Sequence, residues 1–114
     1  MKIIEKVITI NELKEMSERM FGNLVKAMVD VRNKIMAVDG ELHADLLEFL
    51  ILERKSDPKD IWGINIYPDK IEDDFIEFDS VMNLKPSLGN RTRGVESQKL
   101  REEIISVVNK LVKR

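Results

Sequence analysis

The sequence predicts an α+β domain, a mostly antiparallel sheet built on two β-hairpins and covered by an N-terminal and a C-terminal helix. Three observations carry this expectation. Two pairs of segments alternate apolar and polar residues: Leu24–Val31 with the segment from Ile35, and Ile61–Tyr67 with Asp74–Leu84. Period-two alternation rich in β-branched and aromatic residues marks half-buried strands. Short polar turns join the paired segments, which suits antiparallel neighbours. Near each end of the chain, apolar residues recur instead at helical spacing.

Taken in order, Lys2–Ile8 reads as a first strand, with Val and Ile interleaved with charge. Thr9 followed by Glu12 forms a capping box that opens a helix at Ile10. Ile10, Leu13, Met16, Met20 and Phe21 make its apolar stripe, and Gly22 ends it. Leu24–Val31 places Val25, Ala27, Val29 and Val31 on one face. Arg32-Asn33-Lys34 turns the chain, and the returning strand from Ile35 can run as far as His43. Asp45 and Glu48 form a second capping-box pair ahead of Leu46–Leu52. This stretch reads as a helix, although a short apolar run also suits a buried strand.

The second hairpin, Ile61–Leu84, is the centre of the chain. One face carries Trp62, Ile64, Ile66, Ile76, Phe78, Met82 and Leu84; the other carries Asn65, Tyr67, Glu77, Asp79 and Asn83. The first is expected to be core, so Phe78→Ala is expected to cost about 3–5 kcal/mol. The second is either a solvated face or the wall of a site. A glycine-bracketed basic loop, Gly89–Gly94, precedes the final helix at Ser97–Val112, with Leu100, Ile104, Val107, Val108 and Leu111 in register.

Composition narrows the class. With 114 residues the chain makes one domain, 1–114, with a modest core. The absence of cysteine excludes disulfides and thiolate chemistry, and the single histidine excludes a multi-histidine zinc site within one chain. A net charge of −2 argues against general DNA binding. No run is apolar enough for a membrane helix, so a cytoplasmic, non-membrane protein is expected.

Three clusters could carry chemistry. Glu41, His43 and Asp45 alternate in one segment, so a carboxylate could orient His43 as a general base. The plainer alternative is that Asp45 caps a helix and Glu41 is solvated. Asn90, Arg91 and Arg93 lie between two glycines ahead of a helix, a setting in which backbone N–H groups and arginine forks hold phosphate or carboxylate. Their alternative role is pairing with Glu96 or Glu102. Asn65 and Tyr67 would line the facing sheet wall. There, Glu77 and Asp79 could hold a divalent cation such as magnesium or manganese; no other cofactor is expected.

The segments Gly40–Asp45 (G-E-L-H-A-D), Trp62–Pro68 (W-G-I-N-I-Y-P), Glu77–Ser80 (E-F-D-S) and Pro86–Val95 (P-S-L-G-N-R-T-R-G-V) carry a resemblance. Together they resemble a family of small archaeal and bacterial proteins known only as a domain of unknown function. The resemblance spans nearly the whole chain and implies a stand-alone cytosolic domain, but brings no activity or catalytic residue with it. The resemblance implies a glycine stop just before Ser56, and this chain departs from it with Lys55.

The leading functional expectation is a binding domain for an anionic ligand, such as a phosphorylated metabolite or an RNA end, through the 89–94 loop. A homodimeric interaction protein is the alternative, since sheet edges are often closed by a second copy. A His43-dependent hydrolase, with the arginines clamping substrate, is the third.

Overall fold

Five segments form one sheet, its three central strands buried on both faces: β1 (Lys2–Ile4), β3 (Val25–Asp30), β4 (Ile35–Val38), β5 (Ile61–Ile66) and β6 (Ile76–Glu77). Their order is β1-β4-β3-β5-β6, and every neighbouring pair is antiparallel. A separate parallel pair joins β2 (Ile8–Thr9) to β7 (Val112–Lys113). Three helices complete the chain: α1 (Ile10–Arg19), α2 (His43–Arg54) and α3 (Gln98–Leu111). The computed structural model describes residues 1–114.

The expected α+β class and both covering helices are present, and a third helix covers the opposite face. β3 and β5 pair over six residues, from Val25↔Ile66 to Asp30↔Ile61. Val25, Ala27 and Val29 therefore share a face with Trp62, Ile64 and Ile66, where they pack with Leu13 and Met16 of α1 and Ile104 and Val108 of α3. On the reverse face Met28, Ile35, Ala37 and Ile61 meet Leu46 and Leu50 of α2. β4 and β5 both oppose β3 and so run parallel to each other. The α2 helix is consequently a crossover that spans the sheet before the chain re-enters it.

Local sequence explains the helix ends. The Thr9 hydroxyl accepts the Glu12 N–H at 3.2 Å to open α1, and Gly22 adopts φ 89° just beyond its end. Ser97 caps α3 in the same way, through the Leu100 N–H at 3.2 Å. α2 stops at Lys55, which takes the left-handed conformation at φ 53°. The helix is thus terminated through a residue with a Cβ.

Several expected boundaries move. The first strand divides into β1 and β2, because Ile8–Thr9 leaves the sheet to pair with β7. β4 ends at Val38, since Asp39 turns the chain with φ 65°. α2 begins at His43 and not after Asp45, so Asp45 sits in its first turn and caps nothing. The largest correction concerns Asp74–Leu84, of which only Ile76–Glu77 forms strand. Ser80 caps a 3-10 turn, Val81–Asn83, by accepting the Met82 N–H at 3.1 Å. Met82 thus packs with the α2-side cluster, Leu84 is exposed, and Phe78 is only half-buried. The deeply buried aromatic there is Phe75.

Candidate functional site

Where β6 ends, a side chain continues the sheet. Asn83 is fully buried, and its amide accepts the Gly63 N–H at 2.7 Å and donates to the Gly63 carbonyl at 2.9 Å. It supplies the donor and acceptor that a strand residue would have offered β5. Gly63 is required for this approach, since a Cβ there would stand 2.5 Å from the Ser80 Cβ. Asn90 ties the following loop to the same point. Its Nδ2 donates to the carbonyls of Asn83 and Gly94, at 2.7 and 2.8 Å, and its Oδ1 accepts the Glu96 N–H at 2.9 Å.

This packing carries Arg93 to the amino terminus of α2. Leu42 is the N-cap residue and offers no side-chain acceptor, so the helix opens without the cap that α1 and α3 possess. His43, the first helical residue, is anchored across the sheet with Nε2 2.8 Å from the Ile64 carbonyl. A carbonyl can only accept, so Nε2 carries the proton and Nδ1 is the basic nitrogen, with no protein partner. Burial holds the His43 pKa below its ordinary value; Lys26 and Arg93 lower it further, while the Ile64 carbonyl and Asp79 act in the opposite direction. The imidazole is therefore neutral at pH 7.

These groups enclose a cleft of about 220 Å³. Leu42, His43 and Ala44 form one wall, and Ser80, Val81 and Met82 another, with Lys26 from β3 and Arg93 from the loop completing it. Arg93 Nε donates to Asp79 Oδ1 at 2.7 Å, which orients the guanidinium and leaves both Nη groups without a protein partner. A larger surface depression of about 580 Å³ runs along α3, lined largely by surface lysines and glutamates, and it holds none of the expected site residues.

The expected site residues separate. His43, Arg93 and Asp79 converge. Asn90 does not join them, because its amide is spent inside the loop. The Arg91 N–H is taken by the Glu96 carboxylate, and its side chain is exposed outside the cleft. The helix terminus that faces Arg93 is that of α2; α3 is capped by its own Ser97. Glu41 and Asp45 are exposed and make no contact with the imidazole, whose orientation comes from the Ile64 carbonyl. Asn65 and Tyr67 both donate to Glu77 Oε1, at 2.8 and 3.0 Å, beside the cleft and not in it. Burial and Glu77 raise the Tyr67 pKa.

The chemistry open to this arrangement is bounded. Glu77 and Asp79 hold separate partners, and no group of three or more His, Asp or Glu side chains is placed to hold a metal ion. Ser80 Oγ is buried, accepts the Met82 N–H and makes no hydrogen bond to His43, so no Ser–His nucleophile is formed. The cleft sets two cationic side chains beside a neutral imidazole. Sequence reasoning missed Lys26 and Leu42. Their signals were a lysine two residues from the buried Met28 on one face of β3 and an apolar residue immediately before a helix.

Residues 2–111 match the family described as "Protein of unknown function (DUF5674)". The chain belongs to this family. No curated protein and no solved structure matches it. The family spans the cleft and all three helices, so the site lies within the shared domain. No helix of this family member is long and apolar enough to cross a membrane.

Proposed function

We propose that this domain binds a small ligand through an anionic group held at the amino terminus of α2 by Arg93 and Lys26. One observation carries the reading. The Arg93 guanidinium is aimed by Asp79 yet keeps both Nη groups open, beside a helix terminus that lacks a side-chain cap. Helix N–H groups, the helix dipole and an arginine fork each favour an anion, and here they share one cleft. The leading role in capture thus passes from the 89–94 loop as a whole to Arg93 alone.

The test is a thermal-shift and calorimetric screen of phosphate esters and carboxylates against the wild type, Arg93→Ala and Lys26→Ala. A charge-assisted hydrogen bond is worth about 1.5–3 kcal/mol, so Arg93→Ala is expected to weaken binding by about tenfold or more. Binding should also weaken with salt. A panel with no binder, or a binder indifferent to Arg93, defeats the reading.

A catalytic role for His43 is the second reading, favoured by the anchored Nε2 and the unpartnered Nδ1. In it, Nδ1 takes a proton from water or a substrate hydroxyl while Arg93 holds the anion. General-base groups typically contribute about 10²–10⁴-fold. His43→Gln should lower hydrolysis of ester or phosphoester substrates by that order, and unchanged turnover would eliminate the role.

A further inference from the structure

We infer that the anion is a carboxylate borne on a small apolar body, acyl or aryl, and not a phosphate. The inference rests on the anion-binding reading above and specifies its ligand class. Charge is the first argument. Lys26 and Arg93 bring two positive charges to the cleft, Asp79 offsets one through its 2.7 Å ion pair, and His43 is neutral. Among the side chains that line the cleft and the one carboxylate paired to them, one positive charge remains, which matches a carboxylate. A phosphate monoester brings about −1.5 to −2 at pH 7. Asp45, in the first turn of α2, is solvent-exposed outside the cleft lining and supplies no positive charge to hold a second ligand charge. Excess ligand charge would be left uncompensated there.

The lining is the second argument. Beside the cationic groups stand Leu42, Val81 and Met82, and the first two are 55% and 53% exposed. Leu42 occupies the N-cap, a position at which Ser, Thr, Asp and Asn are favoured and leucine is strongly disfavoured. The chain therefore forgoes a self-supplied cap and presents hydrocarbon at the mouth of the cleft. An amphiphilic ligand answers both features: its carboxylate accepts from the open N–H groups while its apolar body covers Leu42 and Val81. Size is the third. A volume of about 220 Å³ falls below the roughly 300–1,000 Å³ of drug-sized sites and suits a body of ring or short-chain dimensions.

The experiment titrates the wild-type domain at pH 7.5 with acetate, hexanoate, benzoate, phenyl phosphate and inorganic phosphate. Binding is followed by calorimetry and by the amide NMR signals of His43 and Ala44. Hexanoate and benzoate are expected to bind about tenfold tighter than acetate and tighter than phenyl phosphate. Arg93→Ala should abolish their binding. Leu42→Ala should bring benzoate down to acetate, because it removes hydrocarbon from the cleft mouth without supplying a cap that competes for the helix N–H groups. Phenyl phosphate binding tighter than benzoate, or acetate equalling benzoate, overturns the carboxylate inference and leaves the anion reading standing. Benzoate binding unaffected by Arg93→Ala overturns it as non-specific adsorption. Silence of the His43 and Ala44 amides to every anion overturns both.

Discussion

The two faces of the sheet are closed by different means. On one, α1 and α3 lay Leu13, Met16, Ile104 and Val108 over Trp62, Ile64 and Ile66, and a cluster of 19 buried hydrophobic residues results. On the other, α2 completes a cluster of only six, centred on Met28, Ile61 and Leu46. Beyond the reach of α2 the covering is irregular chain, held by the amides of Asn83 and Asn90. Hydrocarbon packing is non-directional and fills its space completely. Hydrogen-bonded cover is directional, so it can hold backbone away from the sheet and leave a cleft. The difference teaches why the proposed site lies on the face with the smaller core.

Substitutions can break that contrast in turn. The largest effect is expected on the hydrocarbon face, where Phe75 is 2% exposed. Phe75→Ala should cost about 3–5 kcal/mol in urea unfolding. Phe78→Ala should cost less, since Phe78 is only half-buried. Equal costs would place Phe78 in the core after all.

On the other face, Asn83→Ala leaves the Gly63 N–H and carbonyl without partners in a buried strand. Unsatisfied buried groups cost about 1–3 kcal/mol each. Amide exchange at Gly63 should accelerate more than at Met28, its cross-strand neighbour; uniform acceleration would show that Asn83 supports the whole sheet.

A smaller effect is a dependence on pH. Burial lowers the His43 pKa in the fold from 6.5. The unfolded chain then holds the proton more readily, so His43 imposes no penalty above about pH 6.5 and stability falls as pH drops from there toward the folded value. His43→Gln should flatten that part of the stability curve. A wild-type curve level through the same range would remove the burial argument.

The smallest change concerns the end of α2. Lys55 holds φ 53°, and the left-handed conformation costs a residue with a Cβ about 1–2 kcal/mol. Glycine also adds unfolded-state entropy, so Lys55→Gly should gain about 1 kcal/mol or less. A loss in Tm would mean that the lysine side chain contributes contacts of its own.

Much was legible in the residues before any fold was known. The alternation of Val25, Ala27 and Val29 against Trp62, Ile64 and Ile66, the Thr9 and Ser97 caps, and the stripes of α1 and α3 follow from local periodicity and local hydrogen bonding. His43 and Arg93 stood among the candidates because the one is the chain's single histidine and the other lies in a glycine-bracketed basic loop. Alternation misled at Ile76–Leu84, where apolar and polar residues still take turns although only two residues pair. Ser80 and Asn83 hydrogen-bond the chain into a turn, and period two cannot register such bonds.

Convergence was decided by tertiary structure alone. Lys26, His43 and Arg93 are far apart in sequence, and nothing local brings them together. The crossover of α2 sets its amino terminus over β5, and the Ile64 carbonyl, 21 residues from His43, orients the ring in place of Glu41 or Asp45. Asn90 and Arg93 look equivalent in the basic loop. One is nevertheless turned inward as a staple and the other outward to the cleft, because the choice depends on which buried carbonyls need a donor. Residue types and spacing determined what chemistry this chain could offer; only long-range pairing decided which of those groups face one another.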